Sequence, residues 1–151
     1  MGIYKSKYME LAIEEALLAG ERGEVPIGAV VVLKEGKVLA RDGNRVIELF
    51  DPTAHAEILV LKYAAQKLGN ERLINCDLYV TLEPCPMCAS AISLSRIRRL
   101  YYGAEDQKSG GVDNGARVYE ASSCHHRPEV YGGIGESKSA NLLRKFFKER
   151  R

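Results

Sequence analysis

The chain has 151 residues, 46% hydrophobic and 28% charged, with 22 Lys+Arg against 20 Asp+Glu for a formal net charge of +2. That balance excludes disorder, collagen and a coiled coil, and a chain of this size buries roughly two-thirds of its unfolded surface without disulfide staples. A membrane span is excluded as well, because the longest uncharged run, Pro84 to Ser95, has 12 residues and carries two prolines near its start.

Lys5, Lys7, Glu10, Glu14 and Glu15 stand where a secretory leader needs apolar residues, so a cytoplasmic protein is expected. Met9, Ala12, Ile13, Ala16 and Ala19 recur at helical spacing and predict a first helix, stopped by Gly23 and Pro26. The β-branched run from Ile27 to Leu33 predicts a first strand. Lys34-Glu35-Gly36-Lys37 then turns into a second, Val38 to Asn44, to make an antiparallel hairpin. Asp51-Pro52-Thr53 offers a helix start, with Ala54, Ile58, Leu61, Ala65 and Leu68 as its one buried stripe and Gly69-Asn70 as its end. Leu78, Val80 and Leu82 alternate with Tyr79 and Thr81 as a third strand, which Pro84 breaks. A short helix follows from Ala89 to Ser95, and Ile97 to Gly103 is a fourth strand. Glu105 to Gly135, with glycines at 110, 111, 115, 132 and 133, reads as loops around short elements. Ala140, Leu143, Phe146 and Phe147 mark a C-terminal helix. No linker or repeat divides the chain, so residues 1–151 are expected to form one domain, a layered α/β sheet covered by helices.

The last stretch, Asn141 to Arg151, sets Arg144, Lys145, Lys148, Arg150 and Arg151 against one acid, Glu149. On charge alone this is a solvated helix face with cations at a helix C-terminus. Two adjacent phenylalanines do not fit one buried stripe, however, which points Phe147 or its basic neighbours toward unstacked bases and phosphates.

Chemistry concentrates in His55-Ala56-Glu57 and Pro84-Cys85-Pro86-Met87-Cys88. A Cys-x-x-Cys alone admits a redox dithiol, half of a structural zinc site, part of a catalytic zinc site, or no site at all. A closed structural site would take its fourth ligand from Cys76, Cys124, His125 or His126. His55, Cys85 and Cys88 together make the three-ligand count of a zinc ion that keeps its fourth position for water, which implies catalysis. The predicted elements place His55 in the first turn of one helix and both cysteines in the first turn of another, so two positive helix ends meet there and favour thiolates and hydroxide. Glu57, two residues beyond His55, can then face the water and move protons to a heteroaromatic ring nitrogen and a leaving amine.

His-x-Glu followed by Pro-Cys-x-x-Cys is the established signature of the zinc-dependent cytidine/nucleobase deaminases. The resemblance extends further. Glu24-Val25-Pro26-Ile27-Gly28-Ala29, Asn44-Arg45, Asp51 to Ile58, Leu78 to Cys85 and Phe146-Phe147 are similar to the bacterial tRNA-specific adenosine deaminase family, over nearly the whole chain. That resemblance implies a three-layer, cytidine-deaminase-like α/β fold with a mixed sheet of about five strands flanked by helices on both faces. It implies hydrolytic deamination of adenosine to inosine at the first anticodon position of a tRNA, an arginine tRNA, by a homodimer that binds the anticodon stem-loop. It further implies one Zn2+ per chain on His55, Cys85 and Cys88, with water or hydroxide as fourth ligand, and Glu57 as proton shuttle. Asn44 would hydrogen-bond the flipped nucleotide and Ile27 would pack on the base. Asp106, with Lys108 beside it, and His126, Phe147 and Arg150 would add substrate contacts. The chain departs from the family at His125-His126-Arg127, where Asn-His often precedes the arginine.

Three rivals remain at this point, and one of them, a free nucleoside cytidine deaminase, would not need an Arg/Lys-rich helix. Free-base guanine deaminases can also read Pro-Cys-Pro-Met-Cys, so Pro86 and Met87 discriminate nothing; the Glu24-Val25-Pro26 and Thr81-Leu82-Glu83 contexts and the basic aromatic end favour tRNA, because a small base needs no electrostatic footprint. A silent, zinc-stabilised RNA-binding module would have no use for Glu57.

Overall fold

The structure, a computed structural model, describes residues 2–150, with side chains from Lys7 onward; Met1 and Arg151, the last cation of the basic run, lie outside the described residues. Four helices and five strands follow one another as α1 (Gly2–Glu21), β1 (Gly28–Leu33), β2 (Val38–Gly43), α2 (Ala56–Leu68), β3 (Cys76–Leu82), α3 (Pro86–Leu94), β4 (Arg99–Ala104), β5 (Glu129–Tyr131) and α4 (Glu136–Glu149), with a 3-10 turn at Val118–Glu120. The sheet runs β2-β1-β3-β4-β5. β1 is antiparallel to both β2 and β3, whereas β3, β4 and β5 are mutually parallel. This is the mixed five-stranded sheet that the resemblance implies.

Alternation along the strands divides the core. Val30, Val32, Tyr79 and Tyr101 point to the face covered by α1, where Met9, Ala12 and Ile13 bury the predicted stripe, with Leu142 of α4 packed alongside. Ala29, Val31, Leu78, Val80, Leu100 and Tyr102 point to the opposite face, covered by Ala56, Val60, Leu61 and Ala64 of α2 and Ala89 and Ile92 of α3. Three layers result. On the first face Tyr79, Tyr101 and Tyr131 occupy matched positions on β3, β4 and β5 and stack with centroids 4.4 and 5.1 Å apart. α1 lies so close to β1 that a Cβ on Gly28 would fall 2.0 Å from the Ala12 carbonyl oxygen.

Three expectations are corrected. α2 begins at Ala56, because Asp51 instead closes a turn, its carboxylate accepting the Thr53 N–H at 2.8 Å and the Thr53 hydroxyl at 2.7 Å. Its buried face is Ala56, Glu57, Leu59, Val60, Leu61 and Ala64, while Leu68 of the expected stripe is 40% exposed. The run from Ala56 to Ala65 is apolar on more than one side, so packing on the sheet, not periodicity, selects the face. α3 begins at Pro86, ahead of the expected Ala89, because proline is well suited to the first helical position. Within the poorly patterned stretch after Glu105, β5 adds a strand that the residue pattern did not show.

Candidate active site

The parallel strand β3 ends at Leu82, and the chain reaches α3 through Glu83, Pro84 and Cys85; β2 ends at Gly43, and a loop leads from Asn44 to α2. Both helices begin at a prospective ligand. His55 is the N-cap of α2 (φ −71°, ψ 152°) and Cys85 the N-cap of α3 (φ −70°, ψ 170°), and neither side chain makes a cap hydrogen bond. The expectation that they lie inside the first turns is thus shifted by one residue. An N-cap side chain ordinarily satisfies an orphan backbone N–H. Here Asn44 supplies that bond to α2 from outside the helix, its buried Oδ1 accepting the Ala56 N–H at 2.8 Å.

Cys88 follows in the first turn of α3. The His55 Nδ1 lies 3.7 Å from Cys85 Sγ and 3.5 Å from Cys88 Sγ, and the three donor atoms all fall within 4.8 Å of one another. One imidazole nitrogen and two sulfurs so arranged can hold a metal ion. The hydrogen bond from Cys88, and then that from His55, holds Cys85 down at about 4 against the cost of its burial. The same contact pushes the Cys88 thiol up, with burial and the Glu57 carboxylate adding to it. His55 is raised, first by its hydrogen bond to Cys85. The mutual contact thus drives the two cysteines apart in acidity, and any proton the donor atoms hold must leave when a metal binds.

Glu57 is only 4% exposed, and burial pushes its carboxyl up to about 7, against lowering contributions from its own backbone N–H, His55 and Cys88. A carboxyl half-ionised near neutrality beside a metal-binding cluster is suited to taking and giving protons.

Asp106, Lys108, Phe147 and Arg150 come together along one groove of about 990 Å³ between the loop after β4 and α4, with Ser109, Leu143, Arg144 and Lys148. Phe146 is 9% exposed and faces the core, whereas Phe147 is 50% exposed, so the adjacent pair divides as expected. Arg150 lies over the Phe146 ring at 3.9 Å. Ile27 stands just before β1, partly buried against the α2 and α3 side of the core, and its carbonyl accepts the Asn44 N–H at 3.1 Å. His126 is not brought to this group. Its Nε2 lies 2.6 Å from the Ile97 carbonyl oxygen, in a pocket with Arg72, Arg96, Arg98 and Arg99 past the C-terminal end of α3, opposite the helix end that carries the cysteines.

Two buried glutamates hold the rim. Glu24 accepts the N–H groups of Ile47 at 3.1 Å and Glu48 at 2.9 Å, in the loop leading to His55. Glu83 accepts backbone N–H groups of Asp106, Val112, Asp113 and Asn114. Burial opposes its ionisation, but these bonds and the Asn114 amide outweigh that and hold its carboxyl below the usual range. Sequence reasoning assigned neither residue, since a loop glutamate ordinarily reads as solvated and only its distant partners say otherwise.

Residues 3–151 match the MafB19-like deaminase family. A curated tRNA-specific adenosine deaminase of Agrobacterium fabrum is 60% identical over 147 residues, covering 97% of this chain and 96% of that protein. A solved structure from a study of A-to-I editing by tRNA A34 deaminases at the wobble position superposes with a TM-score of 0.89 at 61% identity, covering 91% of this chain and 99% of that one. The guanine deaminase of Bacillus subtilis stands further off, with a TM-score of 0.64 at 34% identity, covering 77% of this chain and 68% of that one. The chain belongs to the MafB19-like deaminases, and within that fold its resemblance groups it with the tRNA-specific adenosine deaminases.

Proposed function

We propose that the protein is a zinc-dependent tRNA adenosine deaminase that converts adenosine to inosine at the first anticodon position, with an arginine tRNA as substrate, and that residues 1–151 act as one domain. The observation that carries the chemistry is the buried Glu57 carboxyl beside the His55, Cys85 and Cys88 donor atoms. The donor set fits zinc, since two sulfurs and an imidazole with no carboxylate among them suit a soft or borderline ion and leave one tetrahedral position open. When bound, Zn2+ supplies Lewis-acid activation of a water molecule. Glu57 would take a proton from water as it adds to C6 of the adenine and give it to ring N1, then take the proton of the added hydroxyl and deliver it to the amine, which leaves as ammonia. Buried Asn44 spends its Oδ1 on the α2 cap, which leaves its Nδ2 hydrogens for the extruded nucleotide. Ile27, next to Asn44 in the backbone ladder, offers an apolar side to the base.

RNA as the substrate is supported by the groove, where an exposed aromatic ring sits among Arg144, Lys148 and Arg150. The resemblance to the tRNA-specific deaminases also supports a homodimer, and Leu94, the last residue of α3, is 75% exposed and open to such a contact. Among the described residues no helix is long and apolar enough to cross a membrane, and the proposed site of action is the cytoplasm. Incubation with an anticodon stem-loop, followed by nuclease digestion and mass detection of inosine, tests the assignment. Conversion of guanine with no inosine formed would favour the free-base reading instead.

A further inference from the structure

The loop from Glu105 to Asn114 has no regular secondary structure, yet its course is pinned by one side chain. Glu83, buried directly after β3, receives the Asp106 N–H at 3.0 Å and the Asn114 Nδ2 at 2.6 Å on Oε1. Its Oε2 receives the N–H groups of Val112 at 3.1 Å, Asp113 at 2.9 Å and Asn114 at 3.0 Å. A carboxylate only accepts, and about four lone-pair sites here meet donors from both ends of the loop. The gap is closed tightly. A Cβ on Gly110 would stand 2.6 Å from Glu83 Oε2, and one on Gly111 would stand 2.6 Å from the Pro86 nitrogen and 2.8 Å from the Cys85 carbonyl carbon. The Gly111 N–H also donates to the Pro84 carbonyl at 2.8 Å.

The loop thereby joins two places. At Gly111 it rests on the turn that carries Cys85. At Asp106 its carboxylate accepts the Lys108 and Ser109 N–H groups, and these three residues form the groove wall facing Phe147 and Arg150. Glu57 lies in α2, Cys88 in α3 and His55 at the α2 N-cap, on elements separate from this loop.

We propose that Glu83 is a positioning residue for the nucleic-acid substrate: it preforms the wall from Asp106 to Ser109 so that RNA binds without having to order it. The proposal rests on the tRNA reading above. Ordering a loop on binding subtracts from affinity, so its loss falls on KM while the groups that move protons stay in place.

The test compares wild-type protein with Glu83→Gln, whose amide nitrogen turns a donor toward donors. Anticodon stem-loop kinetics, zinc content and backbone hydrogen exchange are read on each. Expected are a rise in KM of about tenfold or more, a change in kcat of less than about threefold, unchanged zinc, and faster exchange at Asp106 and Val112 to Asn114 only. Asn114→Ala removes one of the five bonds and should raise KM in the same direction by less. If Glu83→Gln does not fold, that second variant decides, and an unchanged KM in it overturns the proposal. Loss of zinc, or a fall in kcat at constant KM, also overturns it by making Glu83 part of the metal scaffold. Wild-type protein that leaves the stem-loop untouched overturns the tRNA reading; an active wild type whose KM survives Glu83→Gln overturns this proposal alone.

Discussion

His55 and Cys85 hold the positions where a helix normally places a capping side chain, and each leaves its cap bond unmade. That frees a donor atom for a metal. His55→Ala and Cys85→Ser should therefore abolish stoichiometric zinc, whereas Cys76→Ser and Cys124→Ser should retain it by metal analysis. Cys76 is buried, with its thiol pushed up to about 11 by that burial, and Cys124 donates to the His126 carbonyl at 3.2 Å. A requirement for Cys124 would make the site a closed, structural one. Glu57 lies beside the cluster without being one of its three donors, so Glu57→Gln should keep zinc and RNA binding while kcat falls by about 10² to 10⁴. Retained turnover at full metal content would assign the proton transfers to another group. Acidity separates the two sulfurs as well. In metal-stripped protein, Cys85 near 4 is ionised at pH 6 and Cys88 is not, so alkylation should be selective for Cys85 and should weaken only as pH falls toward 4. Because the Cys88 hydrogen bond is the largest cause, Cys88→Ala, which removes the donor, should move that profile to higher pH. An unmoved profile would place the cause in His55 instead.

At the scale of elements, Asn44 links β2 to the start of α2, and the proposed nucleotide contact would add a second, separable role to that cap. Asn44→Ala removes the acceptor of the Ala56 N–H and should cost about 1 kcal/mol in thermal denaturation as well as activity. Asn44→Asp keeps an acceptor at a helix N-terminus and should hold stability while turnover still falls, because the donors are gone. Equal loss of stability in both would reduce Asn44 to a structural cap. The same contrast shows what the sequence made legible. The α1 stripe of Met9, Ala12, Ile13, Ala16 and Ala19 is buried as expected, because its small residues let α1 close on β1 at Gly28 while Leu17 and Leu18 stay about half exposed. α2 is apolar on several sides, so its expected stripe was right at Ala54 and Leu61 and wrong at the exposed Leu68. β5 is three residues long and begins with an exposed Glu129, too short for alternation to register. The metal cluster was readable because two short motifs at helix starts hold all of its donors. Glu83 was not, since its five donors come from a loop that shares no pattern with it.

The whole molecule sets the choice between RNA and a free base. A pocket for a base alone needs stacking and hydrogen bonds near the metal cluster, whereas the cations here lie along a groove bounded by α4 and the loop after β4. If Arg144, Lys148 and Arg150 grip phosphates as proposed, binding releases counterions, so affinity for a stem-loop should fall linearly in log–log form as salt rises. Lys148→Ala should flatten that slope by roughly one phosphate contact while leaving zinc and melting temperature unchanged, since a surface charge usually alters stability by less than about 0.5 kcal/mol. Phe147→Ala removes a ring that is 50% exposed and should weaken binding by about 1–3 kcal/mol through lost stacking, at little cost to the core that Phe146 fills. Arg150→Ala is a less clean probe, because Arg150 also covers Phe146. Fluorescence anisotropy on a labelled stem-loop across a salt series reads all three. Binding and deamination indifferent to salt, to Lys148→Ala and to Phe147→Ala, with guanine converted efficiently, would remove RNA as the substrate and leave α4 a solvated face.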